Sequence, residues 1–276
     1  MAQLGFHGLV GVGLGRLMAP GPGAAAPRGG PPGPDALGPG TGDPKEDPAG
    51  HLRWGLVLGS ILPDTDFFLL GPLYFFNAQL ALNMHRSFTH SLVTTALVLL
   101  YFRLRSHGRD RALWSLGLGI SIGMAIHNLL DLVFWFSGSD LFWPLGFFGL
   151  PSYVNFWAGW QNPPIVPKLL GAADYLAFGL FFWYVGRRAQ TLGTDTAFLP
   201  RLRLRMQMSA VLWVVFTGLA LTPISGTLFD IIHYALFIVV FLPLMLQTVW
   251  RMRATLSAPW TDGPRRAPGQ AAVPQG

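Results

Sequence analysis

The chain contains no cysteine. Disulfides, thiolate metal sites and cysteine nucleophiles are therefore excluded, and any metal would have to be held by imidazole and carboxylate. Charge is scarce as well. Only 12% of the 276 residues are Asp, Glu, Lys or Arg, against roughly 25% in soluble domains. Hydrophobic residues make up 51%, with 21 Phe and 10 Trp, and the mean hydropathy is +0.42. Such a balance excludes a large soluble domain and implies an all-α, polytopic membrane protein. No internal repeat is visible. Gly11, Gly13 and Gly15 are not a dinucleotide fingerprint, because no strand precedes them; they suit close helix packing.

About seven apolar stretches read as transmembrane helices: residues 3–19, 54–76, 88–102, 112–136, 168–186, 207–224 and 228–250. Residues 1–250 form one membrane domain on this reading. Within it, 20–50 is a Pro/Gly/Ala-rich flexible loop; beyond it, 251–276 is a disordered Pro-rich tail. The first run lacks the preceding basic residues of a signal peptide. Pro63 breaks the second stretch at Leu62-Pro63-Asp64-Thr65-Asp66. Residues 137–167 carry Trp143, Trp157 and Trp160 among several prolines, which suits a loop at headgroup level, re-entrant or interfacial.

The net charge of +6 need not mean nucleic acid. With seven spans and an outside N-terminus, every Lys and Arg except Arg86 and Lys168 falls on one side. That bias places those segments, and the C-terminus, in the cytoplasm. The same topology puts His51 and His107 in solvated inner loops. It gathers the other polar residues at one depth. His7 starts span one, Asp64 and Asp66 lie where span two runs outward, and His85 and His90 start span three. In span four His127 lies about 22 Å from the inner end and Asp131 about 28 Å, by the helical rise, in a hydrocarbon core ~30 Å thick. All seven thus fall in the outer third. Asp174, Asp230 and His233 reach the same depth and are expected to support the structure.

Polar groups beside lipid are costly and usually functional. The densest cluster is His85-Arg86-Ser87-Phe88-Thr89-His90-Ser91. His127 and Asp131 are four apart and share a helix face. Asp64 and Asp66 flank a non-helical turn. His85 and His90 can both face inward if His85 lies in a loop and His90 in the first helical turn. Imidazole plus carboxylate suits a divalent metal, most readily Zn²⁺, with Mn²⁺ or Fe²⁺ as alternatives.

His7, Leu62-Pro63-Asp64-Thr65-Asp66, His85 to Ser91 and His127-Asn128-Leu129-Leu130-Asp131 resemble the YdjM-like inner-membrane family of metal-dependent hydrolases. Its pattern is an N-terminal His, an LPDxD turn, an HRGxTHS box and an HxxxD helix. The similarity covers roughly residues 1–150. Ser87 replaces the usual Gly, and Phe134 to Ser139 departs from the usual Thr-Pro-Gly stretch. The resemblance implies a bacterial inner membrane and a regulatory protein partner. More distantly, the order of His and Asp residues is similar to the zinc-dependent phospholipase C and P1-nuclease group, which implies phosphoester cleavage.

The expected function is a membrane-bound, metal-dependent hydrolase of a phosphoester or lipid-linked substrate. His7, Asp64, Asp66, His85, His90, His127 and Asp131 are the candidate ligands. Asp66 is the candidate general base, and Arg86 the candidate anion holder. A non-enzymatic polar or metal core that binds a protein partner is the alternative. Transport ranks last, because the polar residues lie on one side only.

Overall fold

The computed structural model describes residues 3–18, 47–134, 136 and 138–259. These residues are almost wholly helical, and the one β-bridge among them joins Ser139 to Val154. The elements run α1 (Leu4–Met18), α2 (Pro48–Ile61), a 3-10 turn (Pro63–Asp66), α3 (Phe67–Phe76), α4 (Ala78–His85), α5 (Leu92–Arg105) and α6 (Arg111–Phe134). After a loop with a 3-10 turn come α7 (Ile165–Leu192), α8 (Leu199–Ala220), α9 (Gly226–Leu236), a π-helical turn (Phe237–Phe241), α10 (Leu242–Arg251) and α11 (Arg253–Ser257).

Three helices are long and apolar enough to cross a membrane: α6, α7 and the continuous run Gly226–Arg251. A fourth crossing is available if α2 and the Pro63–Phe76 helix, bent by 49° at Leu62-Pro63, form one broken span. Pro63 lacks the amide that would continue α2, so the bend sits where the sequence places it. The remaining expected spans are less complete. α1 and α5 have 15 and 14 residues, short of the ~20 a straight crossing needs. α8 is long, but Arg201, Arg203 and Arg205 occupy its first turns. Leu69, Leu100, Leu180, Val214 and Val239 are at least 46% exposed. Apolar side chains turned outward from several helices are what a lipid-facing surface requires.

The closest helix contact is between α2 and α6, and glycine makes it possible. Gly55 and Gly59 on α2 face Gly119 and Gly123 on α6. A Cβ at Gly123 would lie 2.5 Å from the Leu56 carbonyl oxygen, and one at Gly55 2.5 Å from that of Leu116. Both helices carry small residues four apart, which allows backbones to touch. α1 lies against α2 and α7. Of Gly11, Gly13 and Gly15, Gly11 abuts Val57 and Ser60 and Gly15 lies against Arg53, whereas Gly13 meets nothing within 4 Å among the described residues; close packing therefore fails at Gly13 only.

Two further expectations change. The segment from 251 is not a tail from its first residue. Helix α11 buries Thr255 and Leu256, Arg53 Nε donates to the Ser257 carbonyl at 2.8 Å, and Arg188 donates to the carbonyls of Thr255 and Ala258. These two arginines turn backbone carbonyls of the chain end into anchors. Residues 260–276, and residues 20–46 of the expected loop, lie outside the described residues. His85 and His90 also exchange places relative to expectation. His85 is the last residue of α4, while His90 sits in the turn just before Ser91, whose hydroxyl caps α5 by accepting from the Val93 amide at 3.1 Å.

Candidate metal centre

Four separate segments deliver the cluster. Helix α1 brings His7, the 3-10 turn Asp64 and Asp66, the end of α4 and the turn after it His85 and His90, and α6 His127 and Asp131. All are buried except Asp66, which is partly so. Three groupings hold ligand atoms within 4.8 Å of one another: His7/His127/Asp131, Asp64/His90/His127 and Asp66/His85/His90. They share members, so they form one continuous site. These groups could hold a metal.

The proton positions follow from the partners of each Nδ1. His127 Nδ1 lies 2.8 Å from the Ser60 carbonyl, which can only accept. Ser60 is in the last turn of α2, where carbonyls lack intrahelical partners. His85 Nδ1 lies 2.7 Å from Asp66 Oδ1. Thr89 gives its single hydroxyl proton to Asp66 Oδ2 at 2.6 Å, so it accepts from His90 Nδ1 at 3.0 Å. Each of the three imidazoles thus donates from Nδ1 and turns Nε2 inward.

Those Nε2 atoms meet two carboxylate oxygens. Asp131 Oδ2 is 3.2 Å from both His90 Nε2 and His127 Nε2. Asp64 Oδ1 is 3.6 Å from His85 Nε2 and His90 Nε2, and 3.8 Å from His127 Nε2. The two imidazole nitrogens of His90 and His127 stand 3.0 Å apart. These nitrogens and carboxylate oxygens repel one another unless protons or a cation lie among them, and a buried carboxylate is costly without either. A tetrahedral ion with bonds of about 2.0 Å spaces its ligands ~3.3 Å apart. The observed 3.0 to 3.8 Å separations bracket that value, as expected of groups that could hold a metal. His85 lies outside the crossing helices. Burial, and then the neighbouring His90, hold it below the usual imidazole value.

The other expected residues fall into place around this core. His7 donates from Nε2 to Asp131 Oδ1 at 3.0 Å and stacks on His127 with ring centroids 3.8 Å apart. It orients the carboxylate and leaves Oδ2 facing inward. Both Asp66 oxygens are engaged, by His85 and Thr89. Arg86 stands at the end of α4 and belongs to none of the three groupings. Its carbonyl accepts from the Asp140 amide at 2.9 Å and the Ser139 hydroxyl at 3.0 Å. Asp174 accepts from the Gly5 amide at 2.9 Å. It caps α1 and so sets the position of His7. Asp230 and His233 stand apart from the cluster; His233 lies among Tyr175, Phe216, Phe229 and Phe237.

Sequence reasoning missed Ser60 and Thr89. Thr89 lies inside the polar box and could have been read as a bridge between imidazole and carboxylate. Ser60 contributes a backbone carbonyl, which no residue type advertises.

The model of the YdjM inner membrane protein family matches residues 1–192, which include the whole cluster. No curated protein and no solved structure matches the chain.

Proposed function

The chain belongs to the YdjM inner membrane protein family, and from that premise we propose a membrane-embedded, metal-dependent hydrolase acting on a phosphoester or lipid-linked substrate. One observation carries the reading: three imidazoles with Nδ1 pinned turn Nε2 toward the carboxylates of Asp64 and Asp131, at 3.2 to 3.8 Å. In this reading His85, His90, His127, Asp64 and Asp131 are the ligands. Zn²⁺ suits the nitrogen-rich set best. When bound, such an ion polarises a phosphoryl oxygen and makes a coordinated water more acidic.

The chain's own residues would do the rest. Ser60, Thr89 and Asp66 hold the three imidazoles in one tautomer, and His7 turns Asp131. Asp66 therefore positions His85 rather than acting as the base. Asp64 Oδ2 is buried and, among the described residues, accepts no hydrogen bond; it is the atom to receive a proton from the attacking water. We propose with it the seven-crossing topology, which would set all of these residues in the outer third of the bilayer, with the N-terminus outside and the C-terminus cytoplasmic. The depth favours a lipid-linked substrate.

The test is to purify the full chain in detergent without chelator, measure bound metal, and assay phospholipid and phosphoester cleavage. Stoichiometric metal and hydrolysis, both lost in His127→Ala, are expected. Absence of metal from the wild-type protein overturns the proposal.

Complete burial of His7, Asp64, His90 and His127 favours one second reading, a closed structural core that supports a protein partner. Metal retained without any hydrolytic activity, together with a partner that co-purifies only with the metal-loaded form, would decide for it.

A further inference from the structure

Helices α7 and α8 pack on one another across the short turn 193–198 and leave a cavity of about 140 Å³ between them. It is remote from the metal centre. Arg187, in its wall, lies about 20 Å along α7 from Asp174, the residue that caps the helix of His7. Trp183, Arg187 and Gln190 line it from α7, and Leu199, Arg203 and Met206 from α8. Each set is spaced i, i+4, i+7, so each is one stripe of its helix.

The two arginines differ from their neighbours in sequence. Arg188 donates to the carbonyls of Thr255 and Ala258, and Arg205 to that of Leu244. Arg187 and Arg203 are exposed, and among the described residues neither guanidinium makes a hydrogen bond or an ion pair. The cavity has no carboxylate in its lining. Asp195, in the connecting turn, accepts from the amide and the hydroxyl of Thr255 instead. Two guanidiniums facing one space repel each other until an anion lies between them, and the Gln190 amide adds a neutral donor. A soluble anion would have no use for the rest of the wall. Trp183, 46% exposed, stands one turn from Arg187, with Leu199 and Met206 across from it. Indole beside a cationic rim is the pattern of a helix end at the membrane surface.

We infer that this cavity seats the headgroup of an anionic phospholipid. Arg187 and Arg203 take its phosphate, and Trp183 and Met206 take the start of its hydrocarbon. A zwitterionic lipid fits less well, because no carboxylate is there to meet its ammonium. The bound lipid is a fixed companion of the α7–α8 hairpin and not a substrate, so the inference does not depend on the hydrolase reading.

The test uses the full-length protein in nanodiscs of mixed phosphatidylglycerol and phosphatidylcholine, with retained lipid measured by native mass spectrometry. An arginine near a surface favours anionic lipid by roughly fivefold, so wild type should hold phosphatidylglycerol about twentyfold over its share. Arg187→Gln and Arg203→Gln should each lower that preference roughly fivefold, and the double variant should erase it. Arg201 lies over the Phe198 ring and outside the cavity, so Arg201→Gln should leave the preference intact. Inorganic phosphate at millimolar concentration should not displace the lipid. Equal retention of the two lipids by wild type, or an undiminished preference in the double variant, overturns the inference. So does a loss in Arg201→Gln as large as in Arg187→Gln, which would mean diffuse surface charge. Full displacement by inorganic phosphate would mean a site for the free anion and overturns it as well.

Discussion

The two halves of the chain bury histidine and aspartate to the same extent and use them in opposite ways. His127 and His233 are both almost fully buried. His127 has a carbonyl on one nitrogen and a carboxylate facing the other. His233 has neither; among the described residues both of its nitrogens lack a hydrogen-bond partner, and aromatic rings surround it. Asp131 turns a free oxygen toward two imidazoles, whereas Asp174 uses an oxygen to satisfy the amide of Gly5. Burial of an ionisable group is thus not what marks a site. Convergence marks it: groups from distant segments leave compatible atoms facing each other, because each is held from behind.

The most disruptive way to break the contrast is to separate the helices that create the convergence. Gly59→Leu would drive a side chain into the backbone of Ile120. Overpacking against a flexible core costs about 1–3 kcal/mol, and a rigid backbone offers less relief, so a loss at the upper end is expected. Ser60 would move away from His127, and metal should be lost together with stability. Thermal unfolding in detergent and metal analysis on the same preparation check both. A variant that keeps full stability would show that α2 and α6 do not touch as described.

A finer probe leaves the facing atoms in place and loosens only what holds them. Asp66→Asn keeps the shape but weakens the contact with His85 Nδ1. Metal affinity should fall about 10–100-fold, as for other supporting partners of metal-bound histidine, with little change in the unfolding midpoint. Competition against a chelator of known affinity measures it. Unaltered affinity would remove His85 from the ligand set.

Asp174→Ala tests whether the second half contributes by positioning. It removes the acceptor of the Gly5 amide, at a cost of about 1 kcal/mol, and frees the start of α1. A modest fall in metal affinity should follow, because His7 steadies Asp131. A loss as large as that of Asp66→Asn would mean that α1 supplies a ligand directly.

Much of this arrangement was legible in the sequence because metal-binding side chains are rare in an apolar chain and therefore conspicuous. Asp64, His85, His90, His127 and Asp131 stood out on type and spacing. Their division of labour was not legible. Which nitrogen of His127 carries the proton depends on the Ser60 carbonyl, a backbone atom present at every position. That contact in turn depends on Gly55, Gly59, Gly119 and Gly123, whose matching four-residue spacing on two helices was a signal available in the sequence. Helix α4 and helix α11 were hidden for another reason. Each is short, and each is stabilised by contacts far along the chain, as when Arg53 and Arg188 hold the carbonyls of 255–258.

The smallest expected effect is the most discriminating. His233→Phe substitutes one ring for another in a site already lined by Tyr175, Phe216, Phe229 and Phe237. It removes two buried polar atoms that have no partner, which favours the variant, and adds a little volume, which opposes it. The balance should lie within about 1 kcal/mol of zero, with metal content unchanged. The same replacement at His127 should abolish metal binding. If His233→Phe instead costs several kcal/mol or strips the metal, then His233 has a polar partner of its own, and the second half of the chain is not the apolar counterweight to the first.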